Sequence, residues 1–291
     1  MRNAIIGIVI STFLLMPALS RAAEVRENGK LLLTGGVSNV EGVAGGGLSN
    51  WAVIGGNETR DGYGGSVHLT DVDVSDFRLI TGGATVGLWD RVEVSYAHQR
   101  FDTQQAGAAL GLGKGYTFNQ DIVGAKVRLL GELVYDQDTW LPQVSAGVEY
   151  KKADRGALVH ALGAKSDSGV DYYLSATKLI LSQSLLLSGT VRATRANQFG
   201  LLGFGGDRES GYSAQLEGAA ALLLTRKLAV GVEYRTKPDN LGFAHEDNAW
   251  SAFGAYAFNK TFSLTLAYVD LGDIATFRNQ RGLYASIKAG F

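Results

Sequence analysis

Four stretches of the sequence hold the residue types that could do chemistry. In GAALGLGKGYT (107–117) a lysine follows a glycine-rich run, as in loops that cradle phosphate with backbone amides and one ammonium group. That motif needs glycine where Ala108 stands and serine or threonine where Gly115 stands, so the stretch reads as a flexible outer loop. DVDVSD (71–76) puts Asp71 and Asp73 on one strand face beside Asp76, a start for a calcium site. The calcium loop requires glycine at its sixth place and glutamate at its twelfth, where Asp76 and Gly82 stand, and a solvated strand end fits better.

HEDNA (245–249) has Ala249 where a zinc-protease helix needs its second histidine. Of the four histidines (His68, His98, His160, His245), His98 is in phase with Val94 and Tyr96, a placement suited to a base acting on membrane lipid. Two residues on stands Arg100 rather than a serine, and no G-x-S-x-G replaces it. The sequence therefore gives no catalytic, cofactor-binding or metal-ligating residue, and predicts a protein that is not an enzyme.

The other charged residues are set out by a period of two. In WLPQVSAGVEYKK (140–152), Trp140, Val144, Ala146, Val148 and Tyr150 share one face and Gln143, Ser145, Gly147, Glu149 and Lys151 the other. KLAVGVEYRTK (227–237) repeats the pattern, with Glu233 and Arg235 on its polar face. Alternation recurs at 91–100, 121–130, 185–195, 211–222, 261–270 and 282–291, and more weakly at 46–56, 76–88, 170–180 and 248–258. That predicts about twelve strands.

Their links alternate in length. Short ones lie near 88–91, 135–139, 181–184, 225–227 and 259–260, and longer ones at about 57–75, 102–120, 152–169, 197–209, 237–247 and 271–281. Aromatic residues such as Trp51, Trp89, Trp140, Tyr172, Tyr234, Trp250, Phe262 and Tyr268 mark strand ends. Sorted loops with rings at both strand ends are what a bilayer selects. The fold class predicted is all-β: a transmembrane antiparallel up-and-down β-barrel with short periplasmic turns and longer outer loops. With its apolar face on lipid, Arg91, Glu93, Lys126, Arg128, Glu149, Lys151, Arg192, Glu217, Glu233, Arg235 and Lys288 line the lumen. A barrel of this width admits either a narrow water-filled path or a salt-bridged plug.

The composition agrees with many strands: 39 Gly, 3 Pro, no Cys, and 12 Tyr, 12 Phe and 4 Trp. Arg2, the apolar run Ile5–Leu15 and the small residues of 18–23 read as an export signal over 1–22. Its removal takes Arg2 and Arg21, leaving 25 basic and 28 acidic residues, a net charge of −3, and no basic face for nucleic acid. Residues 23–45 read as a Gly-rich segment for the periplasm or the lumen, and 46–291 as the barrel. The stretch GLYASIKAGF (282–291) alternates Leu283, Ala285, Ile287, Ala289 and Phe291 with Gly282, Tyr284, Ser286, Lys288 and Gly290. It resembles the terminal signal read by the outer-membrane assembly machinery, and its expected partner is the segment near 46–56.

KLLLTGGVSNVEG (30–42), GGGLSNWAVIGG (45–56), GLWDRVEVSYAHQRFDT (87–103), GYTFNQDIVGAKVRL (115–129) and VYDQDTWLPQVSAGVEYKK (134–152) resemble the bacterial family catalogued as domain of unknown function 3034. The resemblance implies an outer-membrane barrel and brings no activity or site residues. The expectation is a porin-like channel or uptake protein for small solutes in the cell outer membrane. Its partners would be outer-membrane lipid, lipopolysaccharide and the assembly machinery. Two alternatives stay open: a lipid-modifying enzyme, and a structural or surface-interaction barrel without transport.

Overall fold

The computed structural model describes residues 30–291; the expected export signal and residues 23–29 lie outside them. A two-stranded hairpin comes first, β1 (Val37–Ser38) and β2 (Ala44–Gly45). Twelve longer strands follow: β3 (Tyr63–Val74), β4 (Arg78–Leu88), β5 (Val92–Asp102), β6 (Thr117–Leu130), β7 (Gln143–Ala153) and β8 (Ser168–Ile180), then β9 (Leu185–Thr194), β10 (Ser213–Leu223), β11 (Leu228–Arg235), β12 (Ala249–Ala257), β13 (Phe262–Asp270) and β14 (Arg281–Gly290). Two short helices, α1 (Ala106–Ala109) and α2 (Gly156–Ala161), sit in loops. Each of β3 to β14 pairs antiparallel with the next, and β14 returns to β3 from Gly290↔Ser66 to Gly282↔Val74. The sheet closes, so no edge strand is left to expose unpaired backbone groups.

The first barrel strand is not where the sequence pattern put it. Residues 46–56 form no barrel strand: they lie buried inside, and the barrel starts at Tyr63. A strand needs side chains on alternate positions to pack both faces, and Gly45, Gly46, Gly47, Gly55 and Gly56 offer none. The strand that was missed, β3, points Ser66, His68, Thr70 and Val72 inward and leaves Leu69 and Asp73 exposed. Its polar residues face the lumen and its aspartates stand near one end, which made it look like a loop. The count of twelve holds, β14 pairs with β3 rather than with 46–56, and the stretch that precedes the barrel runs on to residue 62.

Two links change with it. The β3–β4 connection is only 75–77, where a long loop was expected, and the β6–β7 connection, 131–142, is longer than its neighbours 89–91, 181–184, 224–227 and 258–261. The remaining long loops, 103–116, 154–167, 195–212, 236–248 and 271–280, all leave from the opposite end. The outer wall is apolar, with Val94, Val123, Leu174, Val191, Leu216, Val232 and Leu266 exposed. Aromatic rings cluster at both ends of it: Trp89, Phe258, Phe262 and Phe291 at the short-turn end, and Tyr172, Tyr212, Tyr234, Trp250 and Tyr268 at the long-loop end.

Candidate functional site

The wall's inward side chains and residues 34–56 together fill the interior. These residues have almost no ladder of their own, so each buried backbone group needs a partner from elsewhere. The wall supplies it. The Glu233 carboxylate accepts from the amides of Gly47 (2.9 Å), Leu48 (3.2 Å) and Ser49 (3.2 Å), and from the hydroxyls of Ser49 (2.5 Å) and Ser251 (3.0 Å). Glu93 takes the amides of Ala44 (3.1 Å) and Gly55 (2.7 Å), and Glu217 that of Asn50 (2.6 Å).

Lys126 donates to the carbonyls of Ala44 (2.8 Å) and Val53 (2.7 Å), while Gln143 and Ser145 both donate to that of Ala52 (2.6 Å each). Lys288 reaches the Gly36 carbonyl at 3.0 Å, and the Tyr284 hydroxyl that of Ser38 at 3.0 Å. The glycines permit this approach: a Cβ on Gly46 would collide with Glu233 Oε1. The inner segment is a plug, tied to its wall through side chains.

One acid of the plug enters an ionic cluster. Glu41 is held by Arg235 through two bonds of 2.7 and 3.1 Å, by Lys151, and by Arg192 at 3.3 Å. Arg192 also bonds Glu217 (2.6 Å), Glu149 (2.9 Å) and Asp171 (3.2 Å), and Lys151 bonds Asp171 at 2.6 Å. Burial pushes the Glu41 carboxyl up, but Arg192, Arg235 and Lys151 outweigh it and hold it well below the usual carboxylate range. The oxygens of Glu41, Glu149 and Asp171 lie within 4.8 Å of one another, close enough to share a metal ion. The ammonium and guanidinium groups already bonded to them take that role. A second set closes the short-turn end, where Lys30 bonds Glu58, and Arg128 bonds Asp90 (2.9 Å) beside Glu132 (3.4 Å).

The structure brings together inside the barrel Glu93, Lys126, Arg128, Glu149, Lys151, Arg192, Glu217, Glu233, Arg235 and Lys288, all buried. Arg91 is a correction: it is exposed in the turn 89–91, because β5 begins only at Val92. Sequence reasoning missed Glu41 and Asp171. Glu41 is the one acid in the glycine-rich stretch 30–57, and Asp171 is in phase with Tyr173 and Ser175, so both carried a signal. Of the terminal residues, Leu283, Ile287 and Phe291 are exposed and Ala285 is half-buried. Ala289, expected on lipid, is buried, a one-carbon side chain standing in register between Phe262 and Val67.

At the long-loop end, loop 195–212 folds inward and roofs the plug, with residues 197–206 buried. Gln198 and Phe199 have φ of 45° and 60°, left-handed backbone that costs about 1–2 kcal/mol per residue without glycine. Their position is fixed by bonds from the Gln198 amide to Glu246 (2.8 Å) and from its side chain to the Asp273 carbonyl (2.7 Å). The Phe199 ring centre lies 4.3 Å from the Arg235 guanidinium. Between roof and plug is a cavity of about 30 Å³ with an apolar lining.

The other chemistry-bearing stretches are dispersed. His98 bonds Asp121 at 2.9 Å on the outer wall, where the Tyr96 hydroxyl bonds the same oxygen at 2.7 Å; among the described residues no serine or threonine hydroxyl bonds His98. Asp71 is clamped by Arg78 (2.9 and 2.5 Å), Asp73 accepts from Gln104, and Asp76 pairs with Gln280. His245 stands exposed between Asp239 (3.0 Å) and Asp247 (3.2 Å). His68 points inward with neither ring nitrogen hydrogen-bonded, and His160 bonds the Ala164 carbonyl in its loop at 3.0 Å.

Residues 34–288 match the family described as "Protein of unknown function (DUF3034)". No curated protein matches the chain by sequence. Among solved structures, the KdgM porin in complex with disordered oligogalacturonate is similar with a TM-score of 0.51 at 10% identity, over 78% of this chain and 99% of that one. A structure of the KdgM porin alone gives 0.50, again at 10% identity and over 78% and 99%. The NanC porin gives 0.48 at 10% identity, over 78% and 98%. At such identity the likeness is one of fold alone, that of an outer-membrane barrel.

Proposed function

We propose that this chain, which belongs to the DUF3034 family, sits in the outer membrane as a non-enzymatic, porin-like uptake protein for small solutes, with a lumen closed by its own residues 34–56. The long loops would then face outward and the short turns the periplasm. Lipid and lipopolysaccharide would surround the apolar wall, and the assembly machinery would read the terminal strand.

The observation that carries this reading is the way the plug is held. Its ties run to wall side chains, while the twelve strand ladders close without it. Apart from Arg128, which pairs with Asp90 at the short-turn end, the wall charges around the plug balance: Glu93, Glu149, Asp171, Glu217 and Glu233 face Lys126, Lys151, Arg192, Arg235 and Lys288, five acids against five bases. Withdrawing Glu41 leaves that band neutral, and water can replace each tie at a net cost of about 1.5–3 kcal/mol for a charged hydrogen bond. A permanent core would more economically be apolar.

Single-channel recording in planar bilayers tests the reading. The intact refolded protein should conduct little and a variant lacking residues 34–56 should open in discrete steps. If that variant, shown folded by heat-shifted mobility on unboiled gels, conducts no more than the intact chain, the uptake reading falls and a structural barrel takes its place.

A further inference from the structure

The storey above the plug differs from the charged band beneath it. Val72, Phe77 and Phe101 of the wall and its hairpin, Leu48 of the plug, and Phe199 and Leu201 of the roof line it. A hydrated sugar or a polar ion gains nothing from such walls, since its lost hydrogen bonds are not replaced. The Phe199 ring is the part held least naturally. Its backbone and that of Gln198 are left-handed, a conformation that persists where surrounding contacts impose it and that clusters at ligand clamps. The ring lies over Arg235 at 4.3 Å, with the Lys237 ammonium 5.8 Å from its centre.

Lys237 is buried, and its hydrogen bonds go to neutral oxygens rather than to a carboxylate. It donates to the Leu271 carbonyl at 2.8 Å and more distantly to Gln198 (3.4 Å) and Asp273 (3.5 Å), while its nearest carboxylate, Glu246, stays 3.9 Å away. Glu246 Oε2 itself has no hydrogen-bond partner. An apolar chamber that holds the ring of a residue with left-handed backbone, with two cations beside that ring, has the chemistry of a site for an apolar acid.

We propose that this chamber binds a small apolar carboxylic acid, aromatic or short alkyl, in the place now taken by the Phe199 ring, with the carboxylate held by Lys237 and Arg235. A carboxylate on Arg235 competes with Glu41, so binding loosens the plug's ionic tie. The proposal names a solute class for the uptake reading and rests on it. Binding is read without a membrane gradient, so its failure is distinguishable from a failure to conduct.

The test is calorimetric titration of benzoate and hexanoate into the refolded full chain in detergent micelles, with galacturonate as the polar acid and empty micelles as blank. Benzoate should bind at least about tenfold more tightly than galacturonate. Phe199→Ala should tighten benzoate binding several-fold by vacating the ring's place, and Lys237→Gln should weaken it by about tenfold. Heat-shifted mobility confirms that each variant is folded, and Phe199→Leu gives the same direction with a smaller step should Phe199→Ala not assemble. Heats equal to the blank in both the intact chain and the Phe199 variants overturn the proposal, as does weaker binding on truncating Phe199. Galacturonate binding as tightly as benzoate overturns the apolar class.

Discussion

At the scale of single residues, Glu41 is the plug's one carboxylate in the ionic cluster, and its value can be measured. Its carboxyl is held below the ordinary range, so the stability it contributes is present above about pH 4.5 and is lost as pH falls through the lower folded value. Hydrogen exchange of residues 41–50 should therefore be unchanged between pH 7 and pH 5 after correction for intrinsic rates, and rise only in stronger acid. Glu41→Gln keeps the shape and removes the charge, and should raise exchange there at pH 7 by about ten- to a hundredfold, as expected for a charged bond worth about 1.5–3 kcal/mol. The barrel's heat-shift temperature should move little, because the wall stays balanced; a collapse of the barrel would contradict that balance. Most inward charges were legible because a strand sorts its side chains by parity alone. Arg91 was misassigned because parity continues on paper past the end of a strand, whereas the turn 89–91 rotates the next side chain out. Glu41 carried no parity at all, lying in a segment without strand period.

At the scale of elements, glycine decided what the pattern did not show. The stretch 46–56 and the strand β3 competed for one place in the barrel. The first looked apolar enough, but its missing side chains let it approach wall carboxylates rather than pack as a strand. Gly46→Ala should show this, since the added carbon meets the Glu233 carboxylate, which can move aside only by giving up the amides of Gly47, Leu48 and Ser49. The expected result is greater protease access to residues 44–50 with the barrel still heat-modifiable, and unchanged protection would contradict the close approach. The roof loop has its own pH dependence. Burial pushes the Glu246 carboxyl up to about 7 against the pull of Lys237. A raised carboxyl contributes stability that is complete below its unfolded value near 4.5 and is lost as pH rises through 7. The Gln198 amide bonded to it should exchange faster at pH 8 than at pH 5, after intrinsic correction, by at least about tenfold, the ratio one pKa unit carries. Glu246→Gln should flatten that difference, and a loop equally protected at both pH values would exclude Glu246 as its fastening.

At the scale of the whole molecule, the terminal strand closes the barrel, and it does so on β3. The Phe291 amide donates to the Gly65 carbonyl and the Gly65 amide to the Phe291 carbonyl, both at 2.8 Å, while the Asn57 amide, just past the plug, reaches the same Phe291 oxygen at 3.3 Å. The seam and the plug's exit thus share one residue. The Phe291 ring lies over Gly65, where a Cβ would come within 2.8 Å of it, so the aromatic end and the bare backbone of β3 fit each other. Removing Phe291 takes away three backbone bonds at the one joint between strands far apart in sequence, the joint whose loop entropy is the largest in the fold. Deletion of Phe291 should therefore cut the yield of heat-modifiable barrel several-fold in refolding from urea, while the fraction that does close keeps a heat-shift temperature near that of the intact chain. Phe291→Tyr, which keeps ring and backbone, should restore the yield. A deletion variant that closes as readily as the intact chain but melts early would place the role of Phe291 in stability and not in closure.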